Sequence, residues 1–116
     1  MGIQFSARIG DERARLMGFE WFGWNYGNAA AMFALLARPP MEYERGEMSI
    51  PEARRAIIWA VNTLDARGAS LTRPTESHGR VVVAGLSVAG IANRLQDFRE
   101  FVEAAEKAGA EAIRWS

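Results

Sequence analysis

The chain contains no cysteine. Disulfides, zinc–thiolate sites and thiol catalysis are therefore excluded, and the composition fits a reducing compartment. There is one histidine, His78, and one lysine, Lys107. A transition-metal site would have to be assembled from carboxylates, and no metal or other cofactor is expected. No apolar run approaches the length that spans a bilayer. Residues 1–5 lack the basic region and long apolar stretch of a signal peptide. These features lead to the expectation of a cytoplasmic protein without membrane contact. Neither sign of charge is in excess, since 14 Lys and Arg balance 14 Asp and Glu. Non-specific nucleic-acid binding needs a clear cationic surplus, so nucleic acid is not an expected partner. An acidic mimic of DNA is equally disfavoured.

What is present is arginine, alanine and a hydrophobic content of 49% over 116 residues. The arginine and alanine bias reads as that of a GC-rich bacterial or phage source. One domain, residues 1–116, is expected, and a chain of this size buries roughly two-thirds of its unfolded surface without staples.

Ile3, Phe5, Ala7 and Ile9 alternate with Gln4, Ser6 and Arg8, the pattern of a half-buried strand. Gly10-Asp11 breaks it, and the alternation of Ala14 and Leu16 with Arg13 and Arg15 predicts a second strand pairing back as a hairpin. Asn28 is placed to cap a helix running to about Ala37, with Ala29, Met32, Phe33 and Leu36 on one face. Pro39-Pro40 stops it. Residues 41–44 read as a short edge strand or simply extended chain.

Ser49-Ile50-Pro51-Glu52 is a capping box. It starts a helix with Ala53, Ile57, Ala60, Val61 and Leu64 on one face, ended by Gly68. Residues 69–79, polar and turn-rich, predict a mobile loop. Val81, Val82 and Val83 predict a short buried strand. Ile91, Leu95, Phe98, Val102 and Ala105 then recur at helical spacing until Gly109. Glu103 and Lys107 are spaced for an i,i+4 ion pair, and Ile113 and Trp115 alternate in a last strand. The order predicts an α+β fold: a small mixed or mainly antiparallel sheet of about four strands, with two to three helices on one face.

Few segments suggest chemistry. Gly85-Leu86-Ser87-Val88-Ala89 departs from the G-x-S-x-G nucleophile elbow in its last position. His78 lies upstream of Ser87, whereas the hydrolase order puts the base downstream, so Ser87 reads as a helix cap. The same turn lacks the further glycines or the G-K-[ST] ending of phosphate-binding loops. Glu42, Glu44 and Glu47 could hold a hard cation, or protect a strand edge from edge-to-edge pairing. No catalytic residue is assigned, and an enzyme is not expected.

The aromatics say more. Trp21, Phe22, Trp24 and Tyr26 fall within "WFGWNYGN". They either plug the end of the sheet and fix the entry angle of the helix, with Gly23 and Gly27 permitting the turns, or stack on a ligand such as a sugar or base. Trp59 points roughly 160° away from the apolar face of its helix, and Ile58 lies about a quarter-turn off it. Either another layer covers them, or they meet a partner.

Three stretches, "FEWFGWNYGN", "SIPEARRAIIWAVNTLDA" and "LQDFREFVEAAEKAGAEAIRW", together make the chain resemble a group of small uncharacterised bacterial and phage α+β proteins. Proteins of that size and design include immunity and inhibitor proteins. The resemblance touches about half the chain and carries no catalytic residue across; it implies a binding protein.

Two functions of different class follow. The first is a non-catalytic module that contacts another protein, as an immunity, inhibitor or phage accessory protein. Its anchors would be Trp59, Trp21, Trp24 and Tyr26, with Arg54 and Arg55 around them. The second is a small-ligand binder or minor enzyme, with residues 21–28 and the 85–87 turn meeting in one pocket. The off-face apolar residues of the second helix also admit a homodimer.

Overall fold

The alternation over residues 3–9 produces the central strand. In the computed structural model, which describes residues 2–37, 45–67, 76–78, 81–83 and 87–116, β1 (Gly2–Ile9) buries Ile3, Phe5 and Ala7 and turns Gln4, Ser6 and Arg8 to the other side. Gly10 takes φ +58° in the turn, and β2 (Glu12–Ala14) pairs back antiparallel with Ala14 opposite Ala7, as the hairpin pattern predicted.

The aromatic segment contributes a strand that the sequence pattern did not reveal. β3 (Gly23–Asn25) pairs antiparallel with the first residues of β1, Trp24 opposite Ile3. Phe5 N–H donates to Phe22 C=O, whereas Gln4 N–H donates to Ser116 C=O. Successive amides of a strand point to opposite sides, so β2 and β3 share one edge of β1, and the last strand takes the other. Gly23 is required by closeness rather than by a turn: a Cβ there would stand 2.1 Å from Ile3 O. Gly27 lies within the following helix, so neither glycine has the turn role expected of it.

Helix α1 (Tyr26–Leu35) starts three residues earlier than Asn28 would set it. The cap is Asn25, whose Oδ1 accepts from Asn28 N at 2.8 Å. Both asparagines could cap; the pairing of β3 delivers Asn25 in the extended conformation an N-cap needs. Ala29, Met32, Phe33 and Leu36 are buried, as their spacing predicted. Residues 39–44, with the proline stop and the proposed edge strand, lie outside the described residues.

A further strand, β4 (Gly46–Ser49), leads without a loop into α2 (Ile50–Arg67). Ser49 Oγ accepts from Glu52 N at 3.2 Å and donates to the Glu52 carboxylate at 3.1 Å, so the serine cap is formed and Glu52 reaches back to its hydroxyl. Ala53, Ala56, Ile57 and Ala60 are buried. In place of part of the expected loop, β5 (Glu76–His78) and β6 (Val81–Val83) pair antiparallel in a sheet of their own. The valine strand therefore exists but is not a member of the main sheet.

Helix α3 (Val88–Lys107) is capped by Ser87, whose Oγ accepts from Gly90 N at 3.0 Å. It buries the predicted stripe together with Phe101. The chain turns at Gly109, φ +83°. Glu103 pairs with Arg99 at 3.2 Å, one turn before it, rather than with Lys107. Strand β7 (Ala112–Trp115) then inserts between β1 and β4, antiparallel to both.

The main sheet is thus five-stranded and antiparallel, in the order β2-β1-β7-β4 with β3 beside β2 on β1. Among the described residues three helices accompany it, and the fold is α+β, its main sheet one strand richer than expected. The core lies between sheet and helices. Its centre is Phe5: ring centroids of Trp24, Phe22, Phe98, Phe101, Trp115 and Phe33 stand 5.0, 5.4, 5.4, 6.0, 6.1 and 6.3 Å away. These rings come from β3 and the residue before it, α1, α3 and β7.

Truncating Phe5 removes the one ring common to all these elements. Phe5→Ala is expected to cost about 3–5 kcal/mol. A urea unfolding midpoint that stays within error of the parent would refute that central role.

Candidate functional site

The four aromatics of residues 21–28 divide by position. Trp24 is buried at 7% exposure and packs edge-on to Phe5. Phe22 is half-buried, with its ring stacked 5.1 Å from Phe101. These two plug the end of the sheet, and Trp24 is thereby removed from the accessible anchors. Trp21 is 87% exposed, and Tyr26, at the first position of α1, is 43% exposed.

Trp59 is also uncovered. It is 58% exposed, Ile58 62% and Val61 38%. All three sit on α2, outside the buried line of Ala53, Ile57 and Ala60. Ile58 and Val61 form the lip of a groove of about 320 Å³ between α2 and α3, whose apolar lining includes Ile57 and Val102. Trp59 lies about 100° further round the helix from Ile58, on the flank away from that groove. Arg54 at the groove is engaged: its Nε donates to Glu106 at 2.6 Å and its Nη2 to the other carboxylate oxygen. This two-pronged bond holds the Glu106 carboxyl below its ordinary pKa. Arg55 is exposed.

The face of the sheet away from the core is a network of charges. Glu47 on β4 accepts from Arg114 Nε at 2.9 Å and from Arg8 Nε. Arg8 Nη1 reaches Gly10 C=O at 2.6 Å and Glu111 at 3.2 Å. Glu47 therefore staples β1, β7 and β4 across the sheet. Glu42 and Glu44, its companions in the hard-cation reading, lie outside the described residues. Among the described residues no group of three or more His, Asp or Glu is arranged to hold a metal ion.

The polar side of residues 21–28 faces the first turns of α3. Gly90, Arg94 and Asp97, at i, i+4 and i+7, lie on one flank of that helix. With Asn93 they form one wall of a cleft of about 590 Å³, whose other wall includes Trp21, Asn25 and Asn28. Arg94 Nη1 donates to Gly90 C=O at 3.0 Å. With its amide oxygen turned to the guanidinium, Asn28 accepts from Arg94 Nη2 at 3.1 Å and Nε at 3.2 Å, and from Asn25 Nδ2 at 3.1 Å. The aromatic segment therefore meets the start of α3, one turn beyond the 85–87 turn. Gly85 and Leu86 lie outside the described residues, and Ser87 serves as a cap. Sequence reasoning missed Asn25, Asn28, Asn93, Arg94 and Asp97 as a group. The only local signals were the N-x-x-N spacing and the polar i, i+4, i+7 flank, and neither says that the two segments touch. His78 lies in β5, its backbone opposite Val81.

No family model matches the chain, and no curated protein or solved structure is significantly similar to it. No described helix is long and apolar enough to cross a membrane.

Hydrogen bonds from Arg114 first, and from Arg8, hold the Glu47 carboxyl below its ordinary pKa. A carboxyl lowered by folding stabilises the fold fully above its unfolded pKa, and that contribution disappears as the pH falls through the lowered value. Glu47→Gln is thus expected to flatten the acid side of the stability–pH curve. Urea midpoints taken from neutral pH downward test this, and parallel curves for parent and variant would refute it.

Proposed function

We propose that this protein is a non-catalytic binding module that acts by direct contact with another protein, through the outer face of α2. The observation that carries this reading is the exposure of Ile58 and Val61 at the lip of the α2–α3 groove and of Trp59 on the neighbouring flank of the same helix. Exposing an indole and a branched aliphatic side chain forgoes burial energy of about 1.5–3 kcal/mol per side chain. Tryptophan and arginine are the side chains enriched at binding hot spots, and Arg55 lies beside Trp59 one turn earlier on α2. Arg54, fixed by Glu106, borders the groove into which a partner's apolar side chain would fit. An immunity, inhibitor or phage accessory role agrees with this kind of contact. Trp21 belongs to a different part of the surface: the cavities that it lines draw on β1–β3 and α3, whereas the groove at Ile58 draws on α2 and α3.

The test is capture of partners by the tagged protein from a lysate of its source, with Trp59→Ala and Ile58→Ala in parallel. Both side chains are exposed, so both variants should keep the parent far-UV circular dichroism and melting temperature. Loss of one dominant partner, with affinity reduced by about 2 kcal/mol or more as hot-spot truncations give, is the expected result. A partner retained by both variants would refute the assignment to this face. A size that grows with concentration, and does so only with Trp59 intact, would replace the foreign partner by a second copy of the chain.

A further inference from the structure

The cleft between residues 21–28 and the start of α3 has a chemistry unlike that of the α2 face. Its floor is fixed in advance: Asn25 is held by its capping bond to Asn28 N, and Asn28 and the Gly90 carbonyl hold the Arg94 guanidinium from two sides. Above that floor stand the Asn93 amide and the Asp97 carboxylate. Both line the cleft, and neither side chain makes a hydrogen bond or ion pair among the described residues. Trp21 stands at the rim, 87% exposed. It also lines an adjoining hollow of about 380 Å³ beside Gly2 and Gln4, so ligand-sized space lies next to the indole in both.

We propose that this cleft binds a neutral carbohydrate. A pyranose presents a patch of C–H groups on one face and hydroxyls around its edge. The exposed indole supplies a flat apolar platform for the C–H face. Each hydroxyl both donates and accepts, so adjacent hydroxyls pair with planar groups that offer acceptors and donors side by side, as the Asp97 carboxylate and the Asn93 amide do. Charge bears on the nearest rival. The cleft has one guanidinium, three of whose five N–H groups go to Asn28 and Gly90, and one open carboxylate that balances its charge. With no net positive charge a nucleotide or sugar phosphate finds no electrostatic gain, whereas a neutral polyol needs none and meets a hydrogen-bond acceptor in Asp97. The volume, about 590 Å³, is within the range of small-molecule sites and suits one or two sugar rings. This site is independent of the α2 face and stands whether or not that face binds a protein.

The experiment is a titration of the full chain with glucose, galactose, mannose, N-acetylglucosamine and their β-linked disaccharides. Binding is followed by isothermal titration calorimetry, which reads the parent and every variant alike, including the one that lacks Trp21. Saturable binding of at least one of these sugars is expected, weakened roughly tenfold or more by Trp21→Ala, the scale on which stacking platforms act. Asp97→Asn should weaken it as well. Both residues are on the surface, and unchanged circular dichroism confirms that each variant is folded. Failure of every sugar to saturate would overturn the proposal, as would binding that survives both substitutions. Glucose 6-phosphate binding more tightly than glucose would overturn it too, because a cleft without net positive charge gives the phosphate no advantage.

Discussion

The structure depends on one buried ring. Phe5 occupies the middle of the central strand, and each of the other main elements except α2 and the two edge strands β2 and β4 delivers an aromatic side chain to it or to its immediate neighbours. A chain of this size has one core, and here it is dominated by large flat side chains whose mutual angles matter. The stacked contact of Phe5 with Phe33 and its tilted contacts with Phe98 and Phe101 tie α1 and α3 to the sheet. Trp115, from the neighbouring strand, continues the cluster towards β4. Its indole lies so close over Gly46 that a Cβ there would meet the ring at 2.4 Å. The aromatic cluster thereby also constrains the register of the far edge strand, where Gly46 stands opposite Trp115.

Much of this was legible from local pattern. The period-two run of β1, the serine cap at Ser49 and the 3.6-residue stripe of α3 each express a single physical requirement within a short window, and each is found where its pattern put it. The parts that were not legible depend on pairing. β3 is three residues long and has no alternation of its own; it exists because β1 offers an unpaired edge there. β4 has one buried side chain, Met48, too few to show a period. Asn25 and Asn28 compete for the same capping role, and the outcome is decided by the strand that precedes them. The pair Glu103–Lys107 had suitable spacing, but Arg99 on the other side of Glu103 supplied a cation at the same distance along the helix.

The candidate sites follow the same division. That Trp59 points away from the apolar line of α2 is a property of one helix and could be read from its angle. Whether anything covered it was a tertiary question, and the described structure leaves it exposed. The division of the aromatics at 21–28 into two inside and two outside required knowing where β3 pairs. The polar cleft joins residues more than sixty positions apart. Helical spacing could mark Gly90, Arg94 and Asp97 as one flank, but nothing local could say that Asn28 would lie against it.

Ser49 ends β4 and caps α2 at the same time, and the next amide, Ile50 N–H, donates to Glu111 C=O at the entrance to β7. No flexible residue separates strand from helix. The start of α2 is therefore clamped to the sheet like a beam built into a wall. Tilting the helix at that end would pull on the β4–β7 pairing and on the indole packed over Gly46. A molecule arriving at the outer face of α2 meets a surface whose shape is set before contact, so the ordering cost of association falls on the newcomer rather than on this chain.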